Sequence, residues 1–391
     1  MNFPGTVLLT HGFRVFFLAA GIWAPVGLVL WIAMLTGAID PPTALPGAAW
    51  HGHELIFGYA AAVIAGFLLT AVPNWTGRLP VRGRGLMLLA ALWAAARLAN
   101  LLAGAAPWIA TVLDVGFLAA LAGTTAREVV IAGNQRNYPV VGLVAALALA
   151  CLLSHLENVD PDIGALGRRA AIGIVLGLIA VIGGRVVPSF TRNWLAKRGG
   201  PLPAPVGRLD TVALVLLAAG LVAWVAQPTT VLTGWLLVIA GMAQGVRLSR
   251  WRGDATGAEP LVLILHLGYG WLALGLVLLG GGLLLPESVG RLTTLHALTA
   301  GAIGTMTLAI MTRATLGHTA RALTADRATV AIYTLVQVGA LLRVTAPVLP
   351  MPYVTALSIA AVAWGGAFVL FVLHCGPMLL TARADRAAGP A

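Results

Sequence analysis

The chain has 391 residues, of which 59% are apolar and 9% charged, with a mean hydropathy of +0.93. That composition excludes a soluble globular domain and marks a polytopic membrane protein. The net charge of +11 sits in short loops between apolar runs, so it reports topology rather than a nucleic-acid surface.

About twenty apolar residues cross a bilayer. Twelve such runs are predicted, at roughly 14–36, 50–73, 85–105, 107–130, 139–157, 169–190, 209–226, 229–249, 260–284, 292–317, 328–346 and 352–380. No separate soluble domain or long linker interrupts them, so a single all-α, twelve-helix membrane domain is expected over 1–391. The first 13 residues lack a basic n-region and a small-residue cleavage site, so the first span reads as retained.

Loop charges predict the orientation. Arg78, Arg82 and Arg84 follow span 2, Arg127 and Arg136 follow span 4, and Arg192, Lys197, Arg198 and Arg208 follow span 6. Arg247, Arg250 and Arg252 follow span 8, Arg313, Arg321 and Arg327 span 10, and Arg383 and Arg386 span 12. The alternate loops hold Arg168, Arg169, Arg291 and Arg343, partly offset by Asp40, Glu157, Asp160, Asp162 and Glu287. Both termini are therefore expected to be cytoplasmic. A weak echo recurs every four spans: the ends of spans 2, 6 and 10 each combine Thr or Ser, Arg and a helix breaker, as in Val72-Pro73-Asn74-Trp75-Thr76 and Val187-Pro188-Ser189-Phe190-Thr191. Three blocks of four helices suit that spacing, and chance similarity among apolar helix ends accounts for it equally well.

Cys151 and Cys375 fall on different helices toward opposite faces, so no disulfide is expected, and no Cys-x-x-Cys-His run exists to attach a c-type haem. The eight histidines separate by depth at about 1.5 Å per residue. His51, His53, His155 and His296 lie toward the outer face, and His11, His266, His318 and His374 toward the cytoplasmic one. His266 and His296 differ in depth by roughly 20 Å, too far to ligate one iron.

The outer layer centres on His51-Gly52-His53-Glu54, which opens an otherwise apolar helix; polar groups at that depth are costly and mark functional sites. On a regular helix His51 and Glu54 share a face, whereas His51 and His53 point about 200° apart. One metal takes both only if the helix start is unwound at Gly52. Otherwise one imidazole is the ligand and Glu54 orients it through its far nitrogen. Beneath His296, Ala300 and Gly304 share a face with Gly301 beside them, a recess where a porphyrin plate fits, and Arg291 is placed to pair with a propionate. A haem iron clamped between spans 2 and 10 is the sharp expectation. Hydrogen bonding between helices is the plainer one. His155, in Ser154-His155-Leu156-Glu157, reads as interfacial.

The cytoplasmic layer holds His266, Tyr269, Arg185, Arg313 and His318, with His11 and Arg14 nearby. Its imidazoles suit copper or a proton relay with Tyr269. Snorkelling accounts for Arg14, Arg313 and His318. Arg185 precedes Pro188, where a broken helix would free backbone groups. His374 reads as packing. Arg97 in span 3 and Asp114 in span 4 are expected to form a salt bridge, since an isolated charge there is expensive. Trp31, Trp50, Trp75, Trp108, Trp194 and Trp251 read as interfacial anchors.

Five separated stretches carry a resemblance: Trp50-His51-Gly52-His53-Glu54-Leu55-Ile56-Phe57-Gly58; Gly66 through Val72-Pro73-Asn74-Trp75-Thr76-Gly77-Arg78; Gly184-Arg185-Val186-Val187-Pro188-Ser189-Phe190-Thr191; His266-Leu267-Gly268-Tyr269; and His296 through Thr305-Met306, Met311-Thr312-Arg313 and Gly317-His318-Thr319. Together they resemble the NnrS family of bacterial inner-membrane proteins. Gly52 stands where Ala is expected, Leu55 where Met is, and Ala320 where Gly commonly follows His-Thr. The resemblance implies twelve spans in the inner membrane, bound haem, of b-type, and copper, and a role in the nitric oxide response. Carried over by position, His51, His53, Glu54, Arg185, His266, His296 and His318 are the residues it singles out. A fainter resemblance, to the central subunit of haem–copper oxidases and nitric oxide reductases, implies three four-helix arcs with low-spin haem held by helices 2 and 10. Span 6 here lacks the histidine those enzymes give to copper or non-haem metal.

The expected function is haem- and copper-dependent binding or redox processing of nitric oxide, with turnover as an oxidoreductase left open and the electron donor unassigned. The competing readings are a cofactor-free transporter whose histidines move protons, and an assembly protein for which haem or copper is cargo.

Overall fold

The computed structural model describes residues 7–45, 47–286 and 291–384, with side chains from 293 onward in the last segment. Arg291, expected at a propionate, and the loop charges Glu287 and Arg386 therefore lie outside the described side chains. Among the described residues every regular element is a helix, and twelve are long and apolar enough to cross a membrane, as the hydropathy predicts.

They are α1 (Gly12–Leu35), α2 (Gly47–Thr76), α3 (Arg84–Leu102), α4 (Pro107–Ile131), α5 (Tyr138–Ser154) and α6 (Pro161–Ala196). There follow α7 (Arg208–Ala226), α8 (Val231–Ser249), α9 (Pro260–Leu284), α10 (Thr293–His318), α11 (Arg327–Thr345) and α12 (Tyr353–Leu380).

Local chemistry sets their ends. Proline opens α4 and α9 at the first turn, where its missing N–H costs nothing. Thr230, Glu259 and Asp326 cap α8, α9 and α11 by accepting from Thr233, Leu261 and Thr329 backbone N–H groups. Gly77 ends α2 at φ +69° with its N–H on Pro73 O, the left-handed stop that glycine permits. Two helices are not α throughout: α2 opens into a π-helix over Glu54–Ala60 and α10 over Ala297–Ile303, each directly after a histidine. By contrast α6 runs unbroken through Pro188, so the helix break expected beside Arg185 is absent.

The chain divides into two compact units, one taking in 1–174, 311–322 and 368–391, the other 175–310 and 323–367. The first has an aromatic interior in which Phe16 meets Phe117 at 5.8 Å and Tyr59 meets Phe368 edge-on at 5.1 Å. Arg14 is buried there instead of snorkelling, and donates to Leu379 O and Thr381 O, both at 2.7 Å, where a cation favours a helix C-terminus. In the second unit α8 packs on α9 through small residues: a Cβ on Gly280 would lie 2.5 Å from Gly234 O. Side chains such as Val29, Leu88 and Val112 in the first unit and Val215, Val222 and Val362 in the second face outward, more apolar surface than water tolerates and what lipid requires.

Trp108 is exposed, as an interfacial anchor would be, but Trp50 and Trp251 are buried. Trp50 Nε1 donates to Asn100 O at 3.2 Å, and Trp251 lies edge-on to Tyr269 at 4.6 Å. Those two are core residues.

Candidate metal centre

Consecutive spans alternate direction, so the start of α2, the end of α3, the start of α4 and the end of α5 belong to one membrane face. One or two turns inside that face the four helices converge polar side chains. His53 and Glu54 come from α2, Arg97 and Asn100 from α3, Asp114 from α4, and Cys151 and His155 from the end of α5. All belong to the first unit.

Glu54 and Asp114 share one guanidinium. Arg97 Nη1 donates to Glu54 Oε1 at 2.6 Å, and Arg97 Nη2 pairs with Asp114 Oδ1, the salt bridge the sequence predicts. Glu54 Oε2 accepts from Trp23 Nε1 at 2.9 Å. Asp114 Oδ2 accepts from Asn100 Nδ2 at 2.5 Å and meets His155 Nε2 at 3.1 Å. His53 Nδ1 lies 3.3 Å from Glu54 Oε1, the orienting contact expected of that carboxylate, and His53 Nε2 lies 3.5 Å from Asp114 Oδ2. Gly58 makes this convergence possible, because a Cβ there would stand 2.6 Å from Trp23 Nε1 and 2.9 Å from Arg97 Nη1. The π-helical turn begins at Glu54, and Gly58 O within it accepts from Trp93 Nε1 at 2.9 Å.

Two features of this network are incomplete. Its side chains are almost wholly buried, with exposures of 0–4%. Yet it sets two carboxylates against one guanidinium, leaving a negative charge unmatched where desolvation makes it expensive. His53 Nε2 is also buried without a hydrogen-bond partner. A bound cation would satisfy both.

The donors for one are present. One ligand atom each from His53, Asp114, Cys151 and His155 lies within 4.8 Å of all the others. Tetrahedral ligands bonded at 2.0–2.3 Å stand about 3.3–3.8 Å apart, and the two His–Asp separations of 3.1 and 3.5 Å fall close to that spacing. Imidazole and thiol donors fit copper or zinc rather than a hard cation. A porphyrin fits less well, since the His53 ring is packed by Phe57 at 4.9 Å and His155 at 4.7 Å.

The second unit also holds a buried ion network. Arg247 Nε donates to Asp210 Oδ1 at 2.9 Å, and Arg247 Nη1 to Tyr269 Oη at 2.8 Å and Ala180 O at 3.0 Å. Tyr269 Oη donates to Gln244 Oε1 at 2.5 Å, and Gln244 Nε2 to Ala213 O at 2.7 Å. His266 stands apart, with Nε2 on Thr191 Oγ1 at 2.8 Å; a Cβ on Gly253 would come within 2.6 Å of its Nδ1. His266 joins no group of three or more His, Cys, Asp or Glu donors among the described residues.

The remaining predicted site residues are dispersed. His51 stacks on Trp31 at 5.1 Å and 17°, away from the His53 donors; Gly52 stays helical, so the unwinding that would unite the two imidazoles is absent. His11, Arg313 and His318 belong to the first unit, with His11 6.0 Å and His318 5.2 Å from the Phe13 ring, while Arg185 and His296 belong to the second. The recess expected below His296 is filled. Trp271 lies against Gly301 and Trp364 against Gly304, with Trp364 Nε1 donating to Ala300 O at 3.1 Å. Two indoles occupy the helix face that the glycines left open for a porphyrin.

His155 is a correction of another kind, because its imidazole is 4% exposed and bonded to Asp114 rather than interfacial. Cys151 was read only for disulfide pairing. The signal for both was their spacing of four, which puts them on one helix face, at the same membrane end as His53.

The family model for the NnrS protein matches residues 7–383. The chain belongs to the NnrS family. That membership brings a general role in the nitric oxide response and an association with haem and copper. No curated protein matches the chain.

Proposed function

We propose that this NnrS-family protein is an inner-membrane metalloprotein of the nitric oxide response whose His53–Asp114–Cys151–His155 cluster holds a transition-metal ion, copper in the family's terms. The observation that carries the reading is the buried His53 Nε2 without a hydrogen-bond partner, beside a network short of one positive charge. A copper ion there would supply one-electron chemistry. The chain's own residues do the rest. Arg97 holds Glu54 and Asp114 in place and offsets half their charge. Glu54 fixes the His53 ring through Nδ1, leaving Nε2 toward Asp114 and the other donors. Trp23, Trp50 and Trp93 close the surroundings and take up backbone and carboxylate acceptors. The loop charges support an outer-face position for this end of the helices, and we read the two units as parts of one membrane domain with both termini cytoplasmic. Bound haem remains the family's implication, and its axial ligation by His51, His53 or His296 is left without the helix recess that first suggested it.

Metal analysis of the full-length protein purified in detergent after copper-sufficient expression tests this. Wild type is expected to hold about one copper per chain, and His53→Ala and His155→Ala each to lose it. Full copper in both variants would overturn the assignment. A wild type without metal would instead make the missing charge a proton, and the cluster a buried protonation site of the kind a transporter uses.

A further inference from the structure

The two histidines and the aspartate leave open what the fourth donor is chemically, and the charge count decides it. This inference rests on the metal reading above. Cys151 is unpaired, fully buried and one turn from His155 on α5, with its Sγ among the converging ligand atoms. As a thiolate it adds a second unmatched negative charge to the one that Glu54, Asp114 and Arg97 leave. A divalent ion then closes the account at zero: Glu54, Asp114 and the thiolate against Arg97 and two positive charges. A coordinated thiol gives up its proton outright, so the S–H bond breaks as the metal–sulfur bond forms, and the proton leaves to solvent. Asp114, meanwhile, is a weakened fourth donor, because Arg97 occupies Oδ1 while Asn100 donates to Oδ2. Two imidazoles and a thiolate with one weak further ligand are the donor class of electron-transfer copper.

We propose that Cys151 ligates the ion as a thiolate, so that His53, His155 and Cys151 form an N2S core with Asp114 as its weak fourth ligand. The site thereby favours a divalent soft or borderline ion, and its copper form belongs to the electron-transfer class.

The test adds Cu(II), and separately Co(II), to metal-stripped full-length protein in detergent. Wild type is expected to develop an intense sulfur-to-metal charge-transfer band with either ion. X-ray absorption of the copper form should show sulfur at about 2.3 Å, the distance of a metal–thiolate bond. Cys151→Ser should lose the band and bind Cu(II) roughly 100-fold more weakly, the upper end of what supporting residues alone cost, while Cys375→Ser keeps both. The wild-type absorption measurement stands even if Cys151→Ser fails to fold. Bound copper with only nitrogen and oxygen scattering and no charge-transfer band would overturn thiolate ligation while leaving the metal site intact. A wild type that takes up neither ion would overturn the parent reading instead.

Discussion

The two units each bury an ion network built on an Arg–Asp pair, and the pairs differ in what they leave over. In the second unit Arg247 uses its donors on Asp210, Tyr269 and Ala180, Tyr269 donates a hydrogen bond to Gln244, and Gln244 donates to a carbonyl. The extra cation, Arg250, binds Asp210 Oδ2 at 3.1 Å with its side chain 27% exposed, where water can reach it. In the first unit the surplus is anionic and sealed in, and an imidazole nitrogen beside it has no partner. A buried charge in a membrane helix is therefore a weak marker of function. A buried charge network that cannot balance itself, with metal-type donors around the deficit, is a stronger one.

The hardest way to break this comparison is to remove Arg97. Arg97→Met strands two buried carboxylates, and losing one partner of a buried ion pair costs about 3–5 kcal/mol. The unfolding midpoint in detergent should fall steeply, and less so when a divalent metal is supplied, because a bound cation replaces part of the lost charge. A midpoint within a degree of wild type would show that Glu54 and Asp114 are not the ionised pair described here.

Double replacements separate the units more cleanly. Asp210→Leu with Arg247→Met exchanges a saturated pair for apolar groups, which is often close to neutral, and metal content should not change. Arg97→Met with Asp114→Leu also removes both charges, yet should abolish metal retention because a donor goes with them. Equal metal loss in the two double variants would erase the distinction between the networks.

Much of this was readable before the fold. Twenty-residue apolar runs and arginine-rich alternate loops dictate twelve spans, and the short turn between α3 and α4 made Arg97–Asp114 the economical pairing. Glu54 as a group that orients an imidazole was one of two readings the sequence left open. Cys151 and His155 were missed because each was weighed alone, one for disulfides and one for the water boundary, when their shared helix face was the informative fact. The His296 recess failed for a tertiary reason: Trp271 and Trp364 reach Gly301 and Gly304 from helices that no local pattern places there. The π-helical turns after His53 and His296, and the intact α6 at Pro188, likewise depend on neighbours rather than on local propensity.

A smaller effect probes how Glu54 contributes. It is not among the four converging donors, but it fixes His53 Nδ1 and supplies one of the two carboxylate charges set against Arg97. Glu54→Gln keeps the size and a hydrogen-bonding group while removing that charge. Divalent metal affinity should fall about 10–100-fold, as when an outer partner of a metal-bound histidine is lost, with the spectrum of any bound copper largely retained. Unchanged affinity would mean that the charge deficit plays no part in holding the ion.

The mildest change asks whether the second network is truly closed. Tyr269→Phe deletes one hydroxyl that accepts from Arg247 and donates to Gln244. Arg247 Nη1 keeps Ala180 O, so the group stranded is Gln244 Oε1, and one buried unsatisfied acceptor costs about 1–3 kcal/mol. The midpoint should drop modestly while metal content and charge-transfer absorption stay at wild-type values. If Tyr269→Phe instead altered the metal spectrum, the contrast between an open and a closed network would fall.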